Sequence, residues 1–336
     1  MAIGPHPVVY TPHHESHAPA GHPDTPDRAG QLLRAALDFG LAARPPVDAG
    51  MSPIAAVHSP GLLVLLQTAY DRFAELREGP RPAVPDSFAV RELAGYVPRS
   101  IWGQLGHYCS DDLTPILRDT WPAAYWAAQV AVSAAGEILS GETLAYALCR
   151  PPGHHAYRDL YGGYCYLNNA AIATEVLVAG GYRPAILDID YHHGNGTQAI
   201  FYDRSDVFFC SIHADPEDEY PYYCGFANEM GLGDGAGCTL NLPLPLNTTE
   251  ISYLDMLERA LRAIDAFHPD VLIVSLGFDT LAGDPHGGML LTPDSFLAIG
   301  RAVAGLHRPL LLVQEGGYLT SALAPALGSF LEGISR

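Results

Sequence analysis

The chain has 336 residues, 48% of them hydrophobic and 16% charged, with a formal net charge of −19. That acidity excludes a nucleic-acid binder, whose footprint is basic, and suits a cationic small molecule drawn to an acidic surface. The apolar runs fall well short of the about 18 residues that a membrane span needs. Met1–His6 carries no basic-then-apolar signal, so a cytoplasmic protein without membrane contact is expected.

The first 30 residues, rich in Pro, Gly and His, read as loop, and His6, His13, His14, His17 and His22 all fall there. From Ala29 to Gly40, Leu and Ala recur at helical spacing and a glycine closes the run. A turn at His58-Ser-Pro-Gly precedes a second helical run that reaches Tyr70. Residues 77–112 form a long excursion in which Pro, Gly and charge dominate Arg77–Arg99; loops of that length are functional or disordered. Thr120–Ser140 is helical and rich in small residues. Beyond it, apolar strands at Thr143–Cys149, Ala185–Ile189, Val207–Ile212, Val271–Leu276 and Pro309–Val313 alternate with helical stretches such as Asn169–Ala179 and Tyr253–Phe267. This alternation predicts one α/β domain over residues 1–336, with a mainly parallel central sheet and helices on both faces. The cysteines (Cys109, Cys149, Cys165, Cys210, Cys224 and Cys238) form no Cys-x-x-Cys pair, so buried free thiols are expected rather than cysteine-bound zinc.

Polar clusters fall at the ends of these strands. Arg150-Pro-Pro-Gly-His154-His155 follows the first, and Asp188-Ile-Asp190-Tyr-His192-His193-Gly-Asn195-Gly ends the second. Ser211-Ile212-His213, Gly277-Phe278-Asp279 and Gln314-Glu315-Gly316-Gly317-Tyr318 close the other three. Open α/β sheets bind ligands at the carboxyl ends of their strands, so the five clusters should converge on one site. Alternation along a strand puts Asp188, Asp190 and His192 on one side and Ile189 on the other. Three such groups on a buried strand are costly unless something pairs with them, and a metal ion is the economical partner.

The segments RPPGHHA (150–156), GGYCYLNNAAIA (162–173), LDIDYHHGNGTQAIFY (187–202), VSLGFDTLAGDP (274–285) and EGGY (315–318) resemble the zinc-dependent histone deacetylase superfamily, closest to its bacterial acetylpolyamine amidohydrolases. The resemblance covers roughly residues 50–330 and implies the arginase–deacetylase α/β fold. It implies zinc ligands at Asp190, His192 and Asp279, a set hard enough to take Fe²⁺ or Co²⁺ as well. His155 becomes the general base and acid, with His154 as its electrostatic partner; Asp188 backs His154 and Asn195 backs His155. A neutral Asn stabilises an imidazolium less than a carboxylate does, which keeps His155 able to accept a proton. Tyr318, freed by Gly316 and Gly317, becomes the donor to the substrate carbonyl oxygen. A structural potassium site is implied at Asp188 and Ser211 with the carbonyls of Asp190, His192 and Ile212, and a second monovalent site at the carbonyls of Phe201, Arg204 and Val207.

Tyr164 and Tyr220 match the aromatic walls of an acyl-amine tunnel. Ser87–Arg91 and Pro98–Cys109 resemble the amidohydrolases' insertion loop, which supports a homodimer and narrows the mouth. Where that loop carries acidic residues this chain has Trp102 and Leu113, with Asp111 and Asp112 just before the latter. By the same resemblance, His286 falls where relatives carry a residue at the tunnel entrance. The expected activity is therefore removal of acetyl from a small acetylated amine, such as an acetylpolyamine. The alternatives are a deacetylase of acetyl-lysine peptides or proteins, or of a natural-product intermediate, and an inactive acyl-amine binding protein.

Overall fold

One eight-stranded parallel sheet holds β1 (Pro7–Val9), β2 (Ala42–Arg44), β3 (Leu144–Ala147), β4 (Pro184–Asp188), β5 (Phe208–Ala214), β6 (Thr239–Leu244), β7 (Val271–Leu276) and β8 (Leu310–Gln314), and the five apolar runs become β3, β4, β5, β7 and β8. The computed structural model describes residues 5–76, 81–90 and 95–335. The spatial order is β2-β1-β3-β8-β7-β4-β5-β6, so β3, β8, β7 and β4 lie side by side at the centre. Alternate residues serve two cores. Ile186, Ile273 and Leu311 pack under α2 (Ser52–Val57), α3 (Pro60–Leu76), α4 (Ile101–Tyr108), α5 (Thr120–Leu139), α6 (Asn169–Ala179) and α7 (Asn195–Phe201). Their neighbours Leu187, Leu272 and Leu312 pack under α1 (Pro26–Phe39), α8 (Glu250–Phe267), α9 (Pro293–Ala304) and α10 (Thr320–Ile334). Strands β3, β4, β5, β7 and β8 are buried throughout, which is why they read as continuous apolar runs.

Three expectations are corrected. The His-rich N-terminal stretch is not simple loop: β1 pairs with β2 and β3, a 3-10 turn spans Pro12–Ser16, and His14 and His17 are buried. Strands of three residues are too short to announce themselves by periodicity. The 77–112 excursion contains α4, which its glycines disguised. A Cβ on Gly106 would lie 1.8 Å from the Ser87 carbonyl oxygen and one on Gly103 2.6 Å from Pro98 Cβ, so both are glycines for close approach. Residues 77–80 and 91–94 of the excursion, Arg91 included, lie outside the described residues. Edge strand β6, with Asn241 and Pro243 in its run, was not expected; a sheet edge tolerates such residues.

Candidate active site

The loops leaving the four central strands meet above the sheet. β4 stops at Asp188, and the chain beyond it is pinned on both sides. Ile189 N donates to Ser275 O on β7 (3.0 Å), and Ala214 N at the end of β5 donates to Tyr191 O (2.8 Å). Asp190, His192 and Asp279 are thereby gathered, each offering a ligand atom within 4.8 Å of the others. His192 Nδ1 lies 3.4 Å from Asp190 Oδ1 and 3.3 Å from Asp279 Oδ2. Asp190 Oδ2 accepts from Gly316 N (2.8 Å), and Asp279 Oδ1 from Tyr191 N (2.8 Å). Asp279 Oδ2 is buried, and among the described residues it accepts no hydrogen bond. Burial and the adjacent Asp190 charge push the Asp279 carboxyl up to about 7. Two buried carboxylates converging on one imidazole fit a divalent cation that offsets both charges.

Two histidines from the loop after β3 stand beside this set. His154 Nδ1 donates to Asp188 Oδ2 (3.0 Å); burial opposes its charge, but the Asp190 and Asp188 carboxylates outweigh that and raise it to about 10. His155 Nδ1 donates to Asn195 Oδ1 (2.7 Å). Burial first, then the His154 and His192 charges, push His155 well below its ordinary value. The pair is therefore one imidazolium and one neutral imidazole, ring centres 4.0 Å apart.

Tyr318 enters on the loop after β8. A Cβ on Gly316 would lie 2.4 Å from Asp279 Oδ2 and 2.6 Å from Asp190 Oδ2, so only glycine lets the loop cross the carboxylates. Arg28 on α1 holds this loop from below: Nε donates to Gly317 O (2.5 Å), Nη2 to Glu315 O (2.8 Å), and its guanidinium lies 4.7 Å from the Tyr318 ring centre. Asp284 Oδ2 accepts from Tyr318 N (2.6 Å) and Leu319 N (2.7 Å). Buried Glu315 turns inward, its Oε2 accepting from Gly153 N (2.7 Å) and His154 N (3.1 Å). Asp24 binds both Arg28 and Arg150, and Arg150 donates to His14 O, His17 O and Asp24 O. Sequence reasoning assigned no role to Arg28, Asp24, Asp284 or Glu315. The last two lie in quoted motifs, the only signal available, and the first two act across more than 100 residues.

These groups open into a cleft of about 410 Å³ lined by Tyr164, Tyr220, His155, His192, His286 and Tyr318, among others. Tyr220 meets His155 edge-on at 4.9 Å, and His286 lies 5.1 Å from the Tyr318 ring. Tyr164 has φ 67°, a left-handed conformation that bulky residues rarely adopt. It is held by Thr114 Oγ1, which accepts from Tyr164 N (2.9 Å), and by Asp111 Oδ2, which accepts from Gly163 N (2.5 Å). Asp111 thus props the wall of the cleft. Asp111 and Glu219 line the mouth, and no arginine lies among the described lining residues.

Trp102 and Asp112 are not brought to this cleft. Trp102 packs on Phe73 (ring centres 4.8 Å apart), and both line a neighbouring groove that meets the cleft at Leu113 and Tyr164. Asp188 and Ser211 face each other in register on β4 and β5. His213 Nε2 donates to Gly225 O (2.8 Å), so its Nδ1 accepts from the Ser211 hydroxyl (2.8 Å) and leaves that oxygen's lone pairs available. Phe201 O accepts from Arg204 N (3.1 Å), while the Arg204 side chain pairs with Glu175 and Asp206 and Val207 is buried before β5.

Fold and site together define an α/β protein with a candidate metal centre at the carboxyl edge of a parallel sheet. The histone deacetylase domain family matches residues 22–334, and the chain belongs to it. An acetylpolyamine amidohydrolase of Burkholderia pseudomallei is 42% identical over 311 residues, covering 93% of this chain and 91% of the relative. One of Mycoplana ramosa is 41% identical over 315 residues, covering 93% and 92%. The crystal structure of an acetylpolyamine aminohydrolase from Burkholderia pseudomallei superposes with a TM-score of 0.95 at 39% identity, covering 98% of this chain and 99% of that one. The fold is the arginase–deacetylase fold of that neighbour.

Proposed function

We propose that this chain is a metal-dependent amide hydrolase, one domain throughout, that removes acetyl from small acetylated amines, acetylpolyamines foremost. One observation carries the reading: the buried Asp190–His192–Asp279 set, with its two carboxylates gathered on one imidazole, opens into the same cleft as a neutral imidazole and a phenol. Family membership and the amidohydrolase names of the relatives support it.

Asp190, His192 and Asp279 would hold the ion, which we take to be Zn²⁺, with Fe²⁺ or Co²⁺ able to replace it. Bound there, the ion supplies a Lewis acid for the amide carbonyl and for water. His155 takes the proton from the attacking water through Nε2 and returns it to the departing nitrogen, so that amide and water become acetate and amine. His154, kept cationic by Asp190 and Asp188, supplies fixed positive charge beside the developing negative charge. The Tyr318 hydroxyl donates to the carbonyl oxygen as it becomes an oxyanion. Tyr164 and Tyr220 flank the aliphatic stem, and His286 lines the rim. Asp111 and Glu219 draw a cationic tail to the mouth, which is why a charged amine suits the cleft better than a neutral amide.

A structural K⁺ at Asp188 and Ser211, a second monovalent ion at the Phe201, Arg204 and Val207 carbonyls, a homodimer and a cytoplasmic setting belong to the same proposal. The available lone pairs of Ser211 support the first. The substrate class is tested by kcat/KM for N-acetylputrescine, N8-acetylspermidine and an acetyl-lysine peptide. The small cationic amines should be preferred; preference for the peptide would make this a peptide deacetylase.

A further inference from the structure

A phenol can stabilise an oxyanion only if its hydroxyl is held to within about 0.5 Å of the place where the charge develops. That place is set by Asp279 and its fellow ligands, whereas Tyr318 arrives on a different loop. The sheet joins the two loops at their roots, where Glu315 N donates to Leu276 O (3.0 Å) and Phe278 N to Gly316 O (3.2 Å). Tyr318 lies two residues further out, and its hydroxyl at the end of a long side chain. A second tie is needed beyond the roots.

The buried carboxylate of Asp284 spans that gap. Its Oδ2 accepts from Tyr318 N (2.6 Å) and Leu319 N (2.7 Å), while its Oδ1 accepts from His286 N (2.9 Å) on its own loop. That loop is folded back on the ligand at its start. Asp284 N donates to Leu281 O (3.1 Å), Gly287 N donates to Asp284 O (3.2 Å), and a Cβ on Gly287 would lie 1.8 Å from Asp279 O. The carboxylate is therefore carried by the same short loop as Asp279. Leu319 is the N-cap of α10, so both donors lie where a helix favours negative charge. The Tyr318 loop is gripped from the opposite side through its carbonyls, Glu315 O and Gly317 O, by Arg28, and Gly316 N goes to Asp190. Tyr318 N is left to Asp284. The same carboxylate also sets the His286 ring 5.1 Å from the Tyr318 ring.

We propose that Asp284 is a positioning residue that ties the Tyr318 loop to the Asp279 loop and so fixes the phenol relative to the metal ligands. The inference rests on the assignment of Tyr318 as the oxyanion donor. Asp284→Ala should lower kcat roughly ten- to a hundredfold, while KM for N-acetylputrescine stays within about threefold and metal per chain is unchanged. Tyr318→Phe leaves no hydroxyl to position, so adding Asp284→Ala to it should change kcat by less than about twofold relative to Tyr318→Phe alone. An equal loss in both backgrounds, no loss in the Tyr318 enzyme, or loss of the metal overturns the tie. Tyr318→Phe by itself separates the two assignments. If it keeps full kcat the oxyanion donor is misassigned and the tie falls with it; if it is impaired while Asp284→Ala is normal, only the tie fails. Should Asp284→Ala not fold, the same cycle is run with Asp284→Asn, whose NH₂ must face one of the three backbone donors. A kcat loss confined to the Tyr318 background, with metal retained, supports the proposal, and any other pattern overturns it.

Discussion

Tyr318→Phe removes one hydroxyl and leaves the ring that Arg28 and His286 contact. Losing one oxyanion donor typically costs about 10²–10³ in kcat, and steady-state kinetics should return a loss of that order with the metal retained. Gly316→Ala works by collision: its Cβ meets the Asp279 and Asp190 carboxylates at 2.4 and 2.6 Å, so elemental analysis should find the ion largely lost. Asp111→Ala frees the Gly163 N–H and lets the Tyr164 turn relax from its left-handed conformation. It should raise KM for a cationic amine several-fold, about 1 kcal/mol of binding, with kcat nearly constant. Asp190, His192, Asp279, His154, His155 and Tyr318 were legible in the sequence because each sits in a motif whose chemistry constrains it. Glu315 and Asp284 were not, because their work is to accept backbone N–H groups, and nothing in a residue's identity says which backbone it will meet.

The N-terminal segment matters as an element. Residues 11–28 deliver Asp24 and Arg28 beneath the catalytic loops, and Arg150 fastens His14, His17 and Asp24 to the loop after β3. Burial disfavours the Asp24 carboxylate, but Arg150 and Arg28 outweigh it and hold it below the usual range. Asp24→Asn leaves two buried guanidiniums without a carboxylate and should cost about 3–5 kcal/mol, read as a lower denaturation midpoint. Turnover should fall with it, because Arg28 carries the Gly317 and Glu315 carbonyls. The long elements β4, β5, β7, α5 and α6 were readable within a few residues from period and length. The three-residue strands, the glycine-bearing α4 and the proline-bearing β6 were not. Their stability comes from tertiary contact, and local pattern records only local preference.

At the scale of the whole molecule, imidazoles held neutral by burial contribute to the response to acid. Burial lowers His14, His17, His58 and His213 to about 4. Their folded-state values lie below the ordinary 6.5, so the unfolded chain binds more protons between pH 6.5 and 4. Their contribution is complete above pH 6.5 and is lost as pH falls toward 4. Each adds a slope of about 1.4 kcal/mol per pH unit in that window. His58→Gln keeps a donor for Tyr157 O and an acceptor for Asn168 N, and should remove one such slope from a pH series of denaturant midpoints. An unchanged slope would mean that His58 is not held neutral.

The central claim is that one divalent ion, held by Asp190, His192 and Asp279, is required to cleave a small acetylated amine. Acetate release from N-acetylputrescine, followed as chelator-treated protein is titrated with Zn²⁺, tests it most directly. No turnover is expected without metal, with recovery that saturates at one equivalent per chain and no recovery in Asp279→Asn. Full turnover by the metal-free protein would contradict it.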